Sequence, residues 1–236
     1  MVYISFSWDD GAIEDMKLMD LSLKYDIPGI FFIPANNNER DVLPEGYIKT
    51  LSKNNFEIGA HTFSHSYLTL LPLKTAQREL SDGKNFLEQL LGKEAPHFCF
   101  PGGKYNNDLL EVSKQYFKSV RTADTGALVQ SNSYLIKPTF HFYDRGLNSL
   151  IFNSLKNGSP IFRLALSNIL TRNYFELLKK LIVSLANSPD SNKIIIWGHS
   201  WEMERFNLWW YLEDLFNFVN TNYPKSKLGY SELLNF

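Results

Sequence analysis

Strand-like and helix-like apolar patterns alternate along most of this chain. Strands are predicted at residues 3–7, 29–33, 56–60, 98–100, 118–120, 134–136, 139–142 and 193–197, and helices at 13–25, 45–54, 73–91, 106–115, 174–186, 207–219 and 231–234. This order favours an α/β fold with a largely parallel sheet and helical crossovers. An open Rossmann-like sheet and a closed barrel both fit it. No Gly-x-Gly-x-x-Gly pattern follows the first strand, which disfavours a dinucleotide-binding fold.

The length and the absence of internal boundaries predict a single domain over residues 1–236. No repeat, low-complexity tract or linker divides the chain, and its 44% hydrophobic content is ample for a packed core. Residues 145–157 fit neither a clear helix nor a clear strand. Residues 140–192 carry no motif that can be matched, so we expect an insertion that shapes a groove or an oligomer contact.

Charge and cysteine content exclude several classes of protein. The formal net charge is −1, and charges of both signs are dispersed, so neither nucleic acid nor an anionic membrane is an expected partner. Cys99 is the only cysteine, which rules out an intrachain disulfide. We see no apolar stretch long enough to span a bilayer and no export signal, which predicts a cytoplasmic protein. A chain trimmed of its signal would look the same.

The first predicted strand runs directly into a pair of carboxylates, Asp9 and Asp10, followed by Gly11. Alone, such a pair is typical of a solvated turn or a helix cap. Two adjacent like charges resist joint ionisation unless a cation or a donor lies between them. The pair therefore becomes a candidate site if other polar groups are brought to it.

His61 and His65 follow the third predicted strand and are four residues apart. One helical turn would bring both imidazoles to the same side. With a carboxylate from elsewhere they would form a set of two nitrogens and one oxygen, which suits zinc or a similar divalent metal. Thr62 stands where a zincin requires glutamate, so that class is rejected. The alternative is a pair of surface or capping histidines.

Four polar clusters fall just after predicted strands. They are Asp9-Asp10, His61 with His65, Pro101-Gly102-Gly103, and His199. The carboxyl ends of parallel strands share one face of a barrel, so we expect these clusters to meet in one pocket.

These motifs resemble those of a known family in their order along the chain. Residues 5–11 read Ser-Phe-Ser-Trp-Asp-Asp-Gly, 61–65 read His-Thr-Phe-Ser-His, 100–105 read Phe-Pro-Gly-Gly-Lys-Tyr, and 195–200 read Ile-Ile-Trp-Gly-His-Ser. The sequence is similar to the polysaccharide deacetylases, the NodB-homology or carbohydrate esterase 4 group. The resemblance implies a distorted (β/α)7 barrel of the NodB / glycoside hydrolase-deacetylase type. It also implies a divalent metal, Zn²⁺ first and Co²⁺, Ni²⁺ or Mn²⁺ as alternatives, and hydrolysis of N-acetyl groups on amino sugars.

The resemblance also implies roles for residues. Asp9 matches the general base and His199 the general acid. Asp10, His61 and His65 match the three metal ligands. Gly102 stands where the family has a tyrosine whose backbone N–H stabilises the oxyanion. A glycine can still offer that N–H.

Two positions depart from the family pattern. The family often has an arginine, oriented to the catalytic aspartate, where this chain has Cys99. In a later motif that begins with aspartate and ends with tryptophan, this chain has Arg121 and Thr125 and keeps Asp124. One positive charge disappears where another appears. We therefore hypothesise that Arg121 supplies from a facing strand the guanidinium that Cys99 cannot.

The expected partner is an N-acetylated sugar or glycan. Trp8, Trp201 and Tyr105 are candidates for stacking on a sugar ring, with core or wall positions as the alternative for the tryptophans. His141 is expected to be structural, and Glu202 is expected at the rim without an assigned role. Two other functions fit the chain: hydrolysis of another non-peptide amide C–N bond, and a catalytically silent carbohydrate-binding relative. The sequence does not determine the oligomeric state.

Overall fold

The computed structural model describes all residues of the chain, Met1–Phe236. Its centre is one sheet of eight strands in which all neighbours are parallel. The strands are β1 (Val2–Asp9), β2 (Gly29–Ile33), β3 (Glu57–Ala60), β4 (His97–Cys99), β5 (Ser119–Arg121), β6 (Leu135–Ile136), β7 (Phe140–His141) and β8 (Asn192–Gly198). Their spatial order is β6-β5-β4-β3-β2-β1-β8-β7.

The two edges of the sheet are formed by two short strands, β6 and β7, that follow each other closely in the chain. β6 pairs with β5 at one edge, and β7 pairs with β8 at the other edge. Only residues 137–139 separate β6 from β7, so one extended segment leaves β5 and joins β8. If that segment is counted once, the sheet has seven positions. This arrangement confirms the predicted α/β fold as a distorted barrel.

Ten helices surround the sheet. They are α1 (Asp15–Lys24), α2 (Glu45–Lys53), α3 (Leu73–Leu91), α4 (Asn107–Ser113), α5 (Leu147–Lys156), α6 (Ile161–Ser167), α7 (Tyr174–Ala186), α8 (Ser200–Arg205), α9 (Trp209–Asn222) and α10 (Tyr230–Asn235). The ambiguous residues 145–157 contain α5, and no apolar pattern in the sequence predicts α6 or α8. No helix combines the length and apolar character needed to cross a membrane.

The alternation of side chains along β1 separates the core from the site. Ile4, Phe6 and Trp8 belong to the large apolar cluster that the helices cover. Ser5, Ser7 and Asp9 alternate with them and are also buried. Successive side chains of a strand point to opposite faces, so Asp9 shares the inner face of the barrel with the two serines. Trp8 is 1% exposed and packs in the core, so it is not available to a sugar.

Helix α3 supports the segment that carries His61 and His65. Ala76, Leu80, Gly83 and Leu87 form its buried face at helical spacing. A Cβ atom at Gly83 would lie 2.6 Å from the carbonyl carbon of Thr62, so glycine is needed for this close approach. The Glu79 carboxylate accepts hydrogen bonds from the backbone N–H groups of Phe63 and Ser64 at 3.0 and 2.9 Å.

Candidate active site

A cavity of about 490 Å³ opens at the carboxyl ends of the strands. Its lining includes residues of all four polar clusters predicted to meet: Asp9, Asp10, His61, His65, Gly102, Gly103 and His199. Trp201 also lines it, but Tyr105 does not. The Tyr105 ring stacks on Phe100 with centroids 5.6 Å apart. The convergence expected from the strand ends is therefore present, without the predicted tyrosine.

Asp10 gathers both imidazoles of the His61–His65 motif. Its Oδ1 atom lies 3.0 Å from Nε2 of His65 and 3.4 Å from Nε2 of His61. Asp10 has a positive φ of 79°, an uncommon conformation for a non-glycine residue, as the chain leaves β1. Burial alone would raise the pKa of Asp10, but the neighbouring imidazoles of His61 and His65 outweigh it and hold this pKa well below its usual value.

The segment between the two histidines is not a helical turn, so that part of the prediction is wrong. Residues 61–65 contain no helix, and Thr62 and His65 have φ values of 65° and 58°. Left-handed residues redirect the chain, and these two turn both rings towards Asp10. The ring centroids of His61 and His65 are 5.0 Å apart. The two imidazoles are therefore close together, as the spacing of four residues predicted, but left-handed backbone conformations bring them together instead of a helical turn.

The chemistry of this cluster fits a divalent cation. Asp10, His61 and His65 each offer a ligand atom, all within 4.8 Å of one another. Nδ1 of His61 lies 2.7 Å from the carbonyl oxygen of Cys99, so it must carry a proton to donate there. In the neutral ring Nε2 then carries a lone pair that faces Oδ1 of Asp10, and the two lone pairs repel each other. A cation between these two atoms would turn the repulsion into two favourable contacts.

Asp9 contacts Arg121, although one of its oxygens also lies within 4.8 Å of a ring nitrogen of His61. The guanidinium of Arg121 donates to Oδ1 of Asp9, and the thiol of Cys99 lies 3.5 Å from Oδ2. Arg121 is fully buried and also donates to the carbonyl oxygen of Thr122 at 2.8 Å. Burial alone would lower the pKa of Arg121, but the charge of Asp9 outweighs it and raises that pKa above its usual value. The contact required by the Arg121 hypothesis is therefore present.

A second polar network, centred on Glu202, lies beside Asp10. Oε2 of Glu202 accepts from Nδ1 of His199 at 2.9 Å and from Nε2 of His141 at 3.0 Å. Nε2 of His199 is left 4.0 Å from Oδ2 of Asp10. Burial would raise the pKa of Glu202, but the hydrogen bonds from His141 and His199 lower it to about 2.

The two histidines that share Glu202 have pKa values shifted in opposite directions. Burial lowers the pKa of His141. Burial would also lower the pKa of His199, but its hydrogen bond to Glu202 and the charge of Asp10 raise it above its usual value. We expected His141 to be structural and gave Glu202 no role, yet both line the cavity. The available signal was the spacing of three between His199 and Glu202, which places them together at the first turn of a helix.

Trp201 and Arg40 form the wall next to Asp10. The indole N–H of Trp201 donates to Oδ2 of Asp10 at 2.9 Å. The guanidinium carbon of Arg40 lies 4.0 Å from the centroid of the Trp201 ring. Sequence reasoning missed Arg40 because it lies in a polar stretch that reads as an ordinary loop.

Two other motif positions, Gly102 and Asp124, have neighbours that the sequence did not predict. Gly102 has a φ of 59°, and a Cβ atom there would lie 2.4 Å from Cε1 of Tyr67. Tyr67 also lines the cavity, so its ring occupies space beside the position where the family has tyrosine. Asp124, the retained motif residue, is partly exposed and lies 3.5 Å from Nζ of Lys156. It pairs with neither His199 nor Asp9.

The fold and the site define a class: parallel α/β barrels with a carboxylate–imidazole cluster at the carboxyl ends of the strands. Residues 2–117 match the sequence model of the polysaccharide deacetylase family. The peptidoglycan-N-acetylglucosamine deacetylase of Bacillus cereus is 28% identical over 114 residues, covering 48% of this chain and 52% of that protein. The peptidoglycan-N-acetylmuramic acid deacetylase PdaC of Bacillus subtilis is 29% identical over 113 residues, covering 47% and 24%.

Among solved structures, the Bc1960 peptidoglycan N-acetylglucosamine deacetylase has a similar fold. The TM-score is 0.60 at 14% identity, with 98% of this chain and 87% of that chain covered. The chain spans about a quarter to a half of the length of the two curated relatives. The chain is therefore similar to the polysaccharide deacetylase family in the sequence of residues 2–117 and similar to a solved deacetylase structure in its fold.

Proposed function

We propose that this protein is a metal-dependent N-deacetylase that hydrolyses the acetamido group of an amino sugar in a glycan. The observation that carries the proposal is that two neighbouring carboxylates have different partners. Asp10 faces His61 and His65, whereas Asp9 is held by Arg121 outside that ligand set. The names of the curated relatives, both peptidoglycan deacetylases, support a glycan substrate.

Asp9 is the proposed general base. Hydrolysis adds water across the amide C–N bond, so one group must accept a proton from the attacking water. Asp9 lines the cavity and lies outside the set formed by Asp10, His61 and His65, so its carboxylate is available for that proton. The guanidinium of Arg121 and the thiol of Cys99 fix the orientation of the carboxylate.

His199 is the proposed general acid. The departing amine nitrogen must be protonated, because an amide anion is a poor leaving group. Glu202 accepts from Nδ1 of His199, which leaves Nε2 as the nitrogen on the side of Asp10. Because the pKa of His199 is raised, the ring keeps its proton to higher pH than an ordinary histidine does.

Asp10, His61 and His65 are the residues that would hold the metal. A bound divalent cation would polarise the amide carbonyl and lower the pKa of water at the site. Trp201 restrains the second oxygen of Asp10 through its indole N–H. Gly102 lines the same cavity, and its backbone N–H is the proposed donor to the oxyanion.

Acetate release from N-acetylglucosamine oligomers tests this function. We expect acetate and free amine in equal amounts, loss of activity after dialysis against a chelator, and recovery when Zn²⁺ is added. A metal-free protein that binds these oligomers without releasing acetate would instead support the silent carbohydrate-binding alternative. Zinc-dependent hydrolysis of other amides, with none of the N-acetylated sugars, would favour an amidase of another specificity.

Replacing Glu202 by glutamine is expected to shift the pH profile. The carboxylate of Glu202 stabilises protonated His199, so its loss lowers the pKa of His199. Activity that needs protonated His199 falls as pH rises through that pKa. The alkaline limb of kcat/KM should therefore move to lower pH in Glu202→Gln. The matched control is Glu204→Gln on the exposed side of α8, which should leave the limb in place. An unmoved limb in Glu202→Gln would contradict the assignment.

A further inference from the structure

Arg40 stands at the cavity with an unusual lack of hydrogen bonds. Its side chain is 23% exposed, and Nε is buried without a partner. The nearest carboxylate oxygens are Oδ2 of Asp10, 3.5 Å from Nε, and Oε2 of Glu39, 3.5 Å from Nη2. Neither contact is a well-formed hydrogen bond. The Arg40 side chain makes no hydrogen bond within the protein, and because Nε itself is buried, the terminal nitrogens of the guanidinium are the donors left for a partner that binds from the cavity.

Asp10 is not a sufficient counter-charge for the guanidinium of Arg40. The oxygens of Asp10 already face both imidazoles at 3.0 and 3.4 Å and accept from the Trp201 indole at 2.9 Å. A cation held by Asp10 would also repel a guanidinium that is close to the same carboxylate. Glu39 is 52% exposed at its side chain, so water competes for it and the pair contributes little.

The other carboxylates of the cavity already have partners. Asp9 is paired with Arg121, and Glu202 is shared by His141 and His199. Arg145 adds a second positive charge to the lining. With a divalent cation at Asp10, the cavity would have positive charge in excess of its carboxylates. That balance favours a substrate with a negative charge of its own.

The Trp201 ring orients the guanidinium of Arg40. An arginine stacked on an aromatic face presents the edge of its planar fork, which matches the two oxygens of a carboxylate. Arg40 and Trp201 also line a neighbouring cavity of about 380 Å³. The pair thus stands between the reaction site and the place where an adjoining group would lie.

We propose that Arg40, stacked on Trp201, binds a carboxylate carried by the glycan substrate close to the acetamido group that reacts. This inference rests on the proposed deacetylase function and specifies its substrate class as an acidic N-acetylated sugar. The carboxylate can belong to the acetylated sugar itself, as in the lactyl ether of N-acetylmuramic acid. It can also belong to the adjoining sugar, as in a disaccharide of N-acetylglucosamine and a uronic acid.

Calorimetric titration of the zinc-loaded protein in the Asp9→Asn background, where acetate release is expected to be slow, tests the inference through binding alone. The ligands are the methyl glycoside of N-acetylmuramic acid, its neutral methyl ester, the glycoside of N-acetylglucosamine, and the uronic acid disaccharide. We expect one of the two acids to bind about 10- to 100-fold more tightly than the neutral ligands, the range for hydrogen bonds to a charged group. Which acid is preferred identifies the sugar that carries the carboxylate. Equal binding of acids and neutral ligands would overturn the proposal.

Two arginine variants locate the effect. Arg40→Gln should remove the preference for the acid while binding the methyl ester as the wild type does. Arg145→Gln removes the same charge from the same cavity and should keep most of the preference. Equal losses in both variants would show a general field rather than a site at Arg40, and would overturn the assignment.

The outcomes separate this inference from the proposed function. Acetate release from neutral and acidic glycans at equal rates would leave the deacetylase function intact and contradict the role of Arg40. Binding of an acid through Arg40 without acetate release from any ligand would support the role of Arg40 and contradict the deacetylase function.

Discussion

Replacing Asp9 by asparagine is expected to slow acetate release by about 10²- to 10⁴-fold while leaving the metal content unchanged. Asparagine has nearly the shape of aspartate but cannot accept the proton from water. Asp9 lies outside the set formed by Asp10, His61 and His65, so the cation should remain bound. The measurements are kcat for acetate release and metal content by elemental analysis.

Asp10→Asn is the matched control one residue away. It weakens a ligand rather than the base, so we expect it to lose metal and activity together. If Asp9→Asn is isolated without metal, Asp9 is a ligand and its assignment as the base is wrong. If Asp9→Asn keeps wild-type kcat, another group removes the proton.

Replacing Arg121 by methionine is expected to lower the free energy of unfolding by about 3–5 kcal/mol, because it leaves the buried carboxylate of Asp9 without its counter-charge. Arg121 is fully buried, and the Asp9 carboxylate is 5% exposed. Activity should fall as well, since Asp9, the proposed base, loses the group that orients it. Urea unfolding gives the stability, and acetate release gives the activity.

Cys99→Ala is the control for Arg121, because the thiol approaches the other oxygen of the same carboxylate at 3.5 Å. It removes one weak donor, so we expect a smaller loss of stability than in Arg121→Met. The double variant Asp9→Asn with Arg121→Met should recover part of the stability lost in each single variant without recovering activity. Equal losses in Cys99→Ala and Arg121→Met would contradict the counter-charge role of Arg121.

The sequence was sufficient for the fold and for the residues at the strand ends. The boundaries of β2, α3 and α7 agree with their predicted ranges, because each has a strong apolar pattern and clear end signals, such as Gly92 after α3. Parallel strands then place Asp9, Asp10 and His199 at one face whatever the loops do.

The parts that were missed depend on long-range contacts. Arg40 and His141 have no local pattern that distinguishes them from a loop arginine and a structural histidine. Their positions become visible only when the loop after β2 meets α8 and when β7 pairs with β8. The conformation of residues 61–65 was also out of reach, because positive φ values at Thr62 and His65 follow from packing against α3 rather than from local propensity.

Residues 61–65 and Asp10 are held in place by different parts of the fold. Gly83 and Glu79 anchor this segment to the outer helical layer, whereas Asp10 is fixed by the end of β1. The relative positions of Asp10, His61 and His65 therefore depend on how one peripheral helix packs against the barrel. A substitution on α3, remote from the cavity, can thus change the distances among these three side chains without replacing any of them.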